Sequence, residues 1–108
     1  MVAGTRTGKH LCTSCQGRRS LIKHRVGRIR TITNNIKSLL IRKSEATERY
    51  SQNIARASNP SSKAHYRAAK AMTRDGYDGQ IRSLRSQNES LRDQNRRDRE
   101  AIRLRHRG

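Results

Sequence analysis

Apolar side chains recur at intervals of three and four residues through the middle of the chain, which is the spacing of one face of a helix. This pattern predicts an amphipathic helix from about residue 20 to 57. Gly27 is its weakest point, because glycine costs about 1 kcal/mol relative to alanine inside a helix. The members of the row are Ile22, Val26, Ile29, Ile32, Ile36, Leu39, Leu40, Lys43, Ala46, Tyr50, Ile54 and Ala57.

The pair Asn59-Pro60 interrupts this pattern. A residue before proline avoids the α region, whereas proline suits the first position of a helix behind an asparagine cap. We therefore expect a second helix from about 60 to 74, with a thin alanine-rich stripe and one basic face. Residues 75–79 predict a turn, in which Gly76 is the left-handed residue that closes the helix and Asp78 caps the next one.

A third helix, from about 79 to 106, can be written in heptads. Only about two heptads are well formed, so the helix either folds back on the first helix, stands in solvent, or forms a homodimer through residues 80–104. Arginines at the e positions offer no interchain acid–base pairs to a parallel dimer, which favours the first two interpretations. The a positions are Ile81, Asn88, Asn95 and Ile102, the d positions are Leu84, Leu91, Asp98 and Arg105, and the e positions are Arg85, Arg92 and Arg99.

These patterns predict an all-α fold, either an extended helical hairpin or a small helical assembly. Val, Ile and Leu make up 17 of 108 residues and there is no Phe, which is below the content of about 20% typical of a self-sufficient core, so part of the chain is expected to be disordered alone. Four segments follow: a flexible or zinc-organised head at 1–17, a basic amphipathic helix at 18–58, a short basic helix at 59–76, and a charged helix with weak heptads at 77–108.

Charge is distributed very unevenly along the chain. There are 26 Lys and Arg against 8 Asp and Glu, a net charge of +18, and no acidic residue precedes Glu45. Such an excess favours a polyanionic partner over a small-molecule substrate. A membrane surface is a weaker alternative, because without Trp or Phe the basic helix has no side chain suited to anchor it.

Two groups of basic residues are the predicted nucleic-acid contacts. Arginine outnumbers lysine 20 to 6, which suits bidentate phosphate contacts and favours RNA over DNA, while the scarcity of aromatic side chains predicts low sequence selectivity. The alternative is a small helical adaptor, or a self-associating coiled-coil protein, that docks an acidic protein. The predicted contacts are Arg18, Arg19, Lys23, Arg25, Arg28 and Arg30 in the first helix, and Lys63, Arg67, Lys70 and Arg74 in the second.

Cys12 and Cys15 have the spacing that lets two thiolates hold one zinc ion, and His24 and His10 could complete a tetrahedral set. This pair resembles the Cys-x-x-Cys of treble-clef and ribbon-type zinc modules. Two free thiols are the alternative, and a redox or disulfide role is less favoured because no β pattern or secretory signal accompanies the pair.

No arrangement of acids, histidines and hydroxyls is typical of catalysis, and no glycine-rich phosphate loop occurs, so we expect a protein that is not an enzyme. Residues 1–8 lack the apolar segment of a secretory signal. This favours a cytoplasmic or nuclear protein, although the arginine-bearing, acid-free start also fits an organelle transit peptide.

Overall fold

The computed structural model describes residues 12–106, and within them every element is helical. Helix α1 spans Thr13–Arg56 and helix α2 spans Pro60–Arg105. The first helical hydrogen bond of α1 runs from the Gln16 amide to the Cys12 carbonyl, at 2.9 Å. Cys12 therefore caps α1, and residues 13–17, which the sequence assigns to a flexible or metal-organised head, are already part of the helix. Gly27 lies within α1 and does not break it.

The short connection between the helices follows the sequence prediction. The Asn59 side chain accepts a hydrogen bond from the Ser62 amide at 2.8 Å, and the Asn59 carbonyl accepts one from the Lys63 amide at 3.2 Å. Pro60 occupies the first position of α2, where its missing amide hydrogen costs nothing. Asn59 is thus the cap of α2, as predicted.

The chain divides into two compact units, each of which pairs a stretch of α1 with an antiparallel stretch of α2. Unit 1 contains the described residues 12–30 and 89–106, and unit 2 contains Thr31–Asn88. The predicted all-α helical hairpin is confirmed.

Unit 2 has a narrow apolar core that alternates with polar contacts. Ile32, Ile36 and Ile81 are buried. The polar contacts between the helices join Asn88 Nδ2 to Thr33 Oγ1 at 3.1 Å, Lys43 Nζ to Asp78 Oδ1 at 2.6 Å, and Lys70 Nζ to Ser51 Oγ at 2.7 Å. Each contact forms only when a particular residue of α1 lies opposite a particular residue of α2. These pairs therefore fix the register of the two helices within the unit.

Unit 1 is built around a polar layer. Asn95 is 2% exposed; its Oδ1 accepts a hydrogen bond from Arg25 at 3.3 Å, and its Nδ2 donates to the Ile22 carbonyl at 3.3 Å. Arg25 also donates to Asp98 Oδ2 at 2.5 Å. Cys15 and Leu91 are the buried apolar side chains on either side of this layer. The buried asparagine has partners for both ends of its amide, which is what burial of a polar group requires.

The predicted turn at 75–79 is wrong, because α2 runs through it without a break. Gly76 does not have the positive φ expected of a left-handed residue. The packing of this stretch explains the difference: Asp78 bonds to Lys43, Tyr77 is half-buried, and Ile81 is buried against α1. Local turn propensity is here overridden by tertiary packing. One helix therefore replaces the predicted short second helix and separate third helix.

The heptads of α2 have an intramolecular partner. Ile81, Asn88, Leu91 and Asn95 are the buried heptad positions, and the polar ones bond to residues of α1. This matches the interpretation in which the C-terminal helix folds back on the first. A homodimer through residues 80–104 stays a prediction.

Candidate metal centre and basic surface

Two cysteines and a histidine come together in unit 1. The Sγ atoms of Cys12 and Cys15 and a ring nitrogen of His106 all lie within 4.8 Å of one another. Tetrahedral zinc with ligands at about 2.0 to 2.3 Å places neighbouring ligand atoms about 3.5 to 3.8 Å apart, so only a small closure would be needed. These three residues can hold a metal ion.

The helix ends bring these three residues together. Cys12 caps α1 and Cys15 lies one turn further on, so both thiols are presented from the same turn. His106 follows the end of α2, and its amide still bonds to the Ile102 carbonyl at 3.1 Å. Cys15 is fully buried, Cys12 is half-buried and His106 is exposed. The cluster is therefore shielded by protein at Cys15 and accessible to solvent at His106.

The two thiols have different electrostatic surroundings. Hydrogen bonds from the Ser14 hydroxyl, 3.4 Å away, and from Cys15 lower the pKa of Cys12 to about 5. Burial, followed by the interaction with Cys12, raises the pKa of Cys15. The pair thus combines a half-buried cysteine of lowered pKa with a buried cysteine of raised pKa, and both are free cysteines.

Neither of the two histidines predicted as zinc ligands is found in the cluster of described residues. His24 is exposed on α1 and is not part of the cluster. It lies nine residues along a continuous helix from Cys15, a rise of about 13.5 Å, which is too far for a shared ion. His10 lies outside the described residues.

His106 could not be found from spacing along the chain, because 91 residues separate it from Cys15. The pairing of the two helices determines which residue lies opposite Cys15. Residue numbers that face each other across unit 2 add up to 121, as in Lys43–Asp78 and Ser51–Lys70, and Cys15–His106 has the same sum. Two continuous helices joined only at Asn59-Pro60 place His106 opposite the cysteines.

The first predicted group of basic residues is split by the structure. Arg25 is bound to Asp98 and its side chain is only 14% exposed, while Arg18 Nε lies 3.6 Å from the same carboxylate. These two arginines are engaged within the protein. The other members are exposed and make no ion pair with any described residue; they are Arg19, Lys23, Arg28 and Arg30.

The second predicted group lies along the first part of α2. Lys70 donates to Ser51, and Arg74 Nε lies 3.7 Å from Asp75 on the surface. Lys63 is half-buried and Arg67 is exposed, and neither forms an ion pair within residues 12–106. The four side chains therefore do not present a uniform free row.

A further set of arginines, on α2 in unit 1, was not assigned a binding role from the sequence. They line a groove of about 630 Å³ together with Val26 and Ile29 of α1. A smaller groove of about 310 Å³ adjoins it, shares Arg99 and Arg103 and is bordered by Arg19. The arginines of the larger groove are Arg92, Arg96, Arg99 and Arg103. Their spacing of four, three and four residues is the signal that could have revealed them.

Neither helix, over the part of the chain that the structure describes, has an apolar stretch able to cross a bilayer. No protein-family model matches the chain, and comparisons with curated proteins and with solved structures likewise found no significant match.

Proposed function

We propose that this chain is a non-catalytic accessory protein that binds nucleic acid, RNA in preference to DNA, through arginine contacts to phosphates. The observation that carries this proposal is its unneutralised positive charge. The chain has a net charge of +18, and its acidic residues are few. A protein of this charge attracts polyanions and binds them through backbone phosphates.

The ion pairs of the structure show how little of this charge is neutralised. Of the 26 Lys and Arg, Arg6, Lys9 and Arg107 lie outside the described residues, which leaves 23. Seven of these form ion pairs within residues 12–106: Arg18, Arg25, Lys43, Arg74, Arg96, Arg97 and Arg103. The other sixteen form no ion pair within residues 12–106, although Lys70 donates to Ser51. The seven ion pairs already involve five of the eight acidic residues.

The kind of nucleic acid follows from the residue types. Guanidinium groups make bidentate contacts to phosphates, and helical arginine-rich segments are a common means of contacting RNA. With three Tyr and no Trp or Phe, the chain lacks platforms for reading stacked bases. Low sequence selectivity follows, since phosphate contacts position a protein without specifying bases.

Titration of labelled single-stranded RNA at a series of salt concentrations tests this proposal. The logarithm of the association constant should fall linearly with the logarithm of salt, by about 0.7 for each phosphate contacted. Binding that is unchanged between about 50 and 200 mM salt would contradict it. Duplex DNA measured in parallel should bind more weakly than RNA.

A second candidate function rests on exposed apolar side chains. Ile41 is 61% exposed and Met72 is 76% exposed, and Leu40 is also accessible. Such side chains favour a small helical adaptor, or self-association, that buries them against another protein. Light scattering of nucleic-acid-free protein separates the two functions: a discrete oligomer together with negligible RNA binding favours the adaptor.

For the group formed by Cys12, Cys15 and His106 we propose zinc as the ion. Two thiolates and an imidazole are a donor set that suits zinc, and ligand atoms within 4.8 Å of one another need only a small closure to reach its tetrahedral geometry. In a chain with little apolar core, the binding free energy of such an ion would add to the stability of unit 1.

A further inference from the structure

The groove in unit 1 combines an arginine rim with an aliphatic floor. Four arginines of α2 line it, at positions 92, 96, 99 and 103, together with Asn95 and Glu100 of the same helix, while Val26 and Ile29 of α1 form its floor. The stretch from 92 to 103 covers about 16 Å along the helix axis, at 1.5 Å per residue. The groove is therefore long enough to hold several monomers of an extended polymer.

Two of the four rim arginines form ion pairs, Arg96 with Asp93 and Arg103 with Glu100, and both pairs lie on the surface. Arg92 and Arg99, with Arg19 at the adjoining groove, form no ion pair within the described residues. Arg103 is paired with Glu100, but both side chains are at least half exposed. Exposed pairs of this kind contribute about 0 to 1 kcal/mol, so a phosphate could replace the carboxylate at little cost.

The side chains that line the groove indicate which kind of molecule it can bind. The aliphatic side chains are Val26 and Ile29 in the larger groove and Ile22 and Ile102 in the adjoining one, and five arginines outnumber them. A lining that is mostly guanidinium suits a nucleic-acid strand, whose phosphates can be held by these groups while its sugars or bases cover the aliphatic side chains.

We infer that this groove of unit 1 is the path of a single RNA strand, whose phosphates are held by Arg19, Arg92, Arg99 and Arg103. The inference rests on the proposed function and deepens it, because it moves the main contacts from the predicted arginine cluster of α1 to a surface formed mostly by α2.

Two variants with equal loss of charge test the inference. The groove variant carries Arg19→Gln, Arg92→Gln and Arg99→Gln, and the matched control carries Lys23→Gln, Arg28→Gln and Arg30→Gln. All six side chains are exposed and form no ion pair within residues 12–106, and glutamine is a good helix former. Each variant and the native protein are titrated with a labelled single-stranded RNA over a range of salt.

The groove variant should bind at least about tenfold more weakly than the control, and its salt slope should fall by about 2, from three lost contacts of about 0.7 each. Equal losses in the two variants overturn the groove while leaving RNA binding intact. No RNA binding by the native protein overturns the proposed function itself. Binding of an acidic helical peptide that only the groove variant loses, with RNA affinity equal in both variants, assigns the groove to a protein partner instead.

Folding of each variant is checked by far-UV circular dichroism. If the triple groove variant loses helicity, Arg99→Gln and Arg28→Gln replace the two sets. Arg99→Gln should still reduce RNA affinity and the salt dependence of binding more than Arg28→Gln does. Equal effects of the two substitutions overturn the inference.

Discussion

The Arg25–Asp98 pair shows how much a single partially buried charge depends on its partner. The side chains of Arg25 and Asp98 are 14% and 21% exposed, and Arg25 also donates to the buried Asn95. Removing the carboxylate would leave the Arg25 cation without its charged partner in a poorly hydrated layer, which is more costly than losing a surface contact.

Asp98→Ala should therefore lower the free energy of unfolding by about 2 to 3 kcal/mol. Asp93→Ala is the matched control: its partners Arg96 and Arg97 are both 76% exposed, so its cost should stay below about 1 kcal/mol. Urea unfolding followed by circular dichroism measures both. Equal costs would show that the polar layer is not buried in solution.

Asp78 gives the stability of unit 2 a dependence on pH. Its hydrogen bond with Lys43 lowers the pKa of Asp78 below the ordinary value of 3.8. A carboxylate whose pKa is lower in the folded state stabilises the fold above its unfolded pKa, and that contribution is lost as pH falls through the folded pKa.

We expect the free energy of unfolding of the native protein to decrease as the pH falls below about 4. The decrease should be smaller in Asp78→Asn, which has no carboxylate at this position to protonate. Asp75→Asn is the control, because the Asp75 side chain is 73% exposed. Unfolding by urea at pH 7 and at several acidic pH values gives the comparison. A native-like pH dependence in Asp78→Asn would count against the Lys43 contact.

At the scale of elements, the continuity of α2 is the main departure from the sequence prediction. Two glycines and two aspartates within five residues are typical of a turn, and no local signal says otherwise. The local sequence contains no information about the partner helix, to which Asp78 bonds and against which Ile81 is buried. The boundary at Asn59-Pro60 was predictable, because cap and proline act locally and do not depend on tertiary contacts.

Gly76→Ala tests this continuity. A Cβ at Gly76 would meet no atom within 4 Å, so in a continuous helix the change should stabilise the protein by about 1 kcal/mol. In the left-handed turn residue that the sequence predicts, alanine would instead destabilise it. Gly27→Ala, in α1 and equally open, serves as the reference for a helical position. Thermal unfolding that moves upward for Gly27→Ala but downward for Gly76→Ala would favour a turn.

At the scale of the whole molecule, the candidate metal centre connects residues that are far apart in the sequence. The cysteine pair was predictable because its spacing is itself the signal. The histidine was not predictable, since its position depends on how the two helices pair, and the only support for His24 is its proximity to Cys15 along the chain. The spacing of the arginines on α2 indicates that they share one face of the helix, but only the packing of α1 shows that this face borders a groove.

Zinc should raise the melting temperature of the native protein, because an ion that binds only the folded state stabilises it by mass action. His106→Ala should reduce this rise and weaken zinc affinity at least about tenfold, while His24→Ala should leave both unchanged. Cys12→Ser with Cys15→Ser should abolish the response. Calorimetry with zinc and with a chelator measures these effects, and an equal response in the two histidine variants would exclude His106 as a ligand.

The polar contacts between the helices also restrict which helices can pair. In both units the cation comes from α1, as Arg25 or Lys43, and the carboxylate comes from α2, as Asp98 or Asp78. Pairing α1 with a second α1 in the same seam would set cation against cation, and pairing α2 with α2 would set carboxylate against carboxylate. Unlike helices are thus selected over like ones. That rule would also be satisfied if α2 came from another copy of the chain, so these charges distinguish unlike helices from like ones but do not distinguish one copy from two.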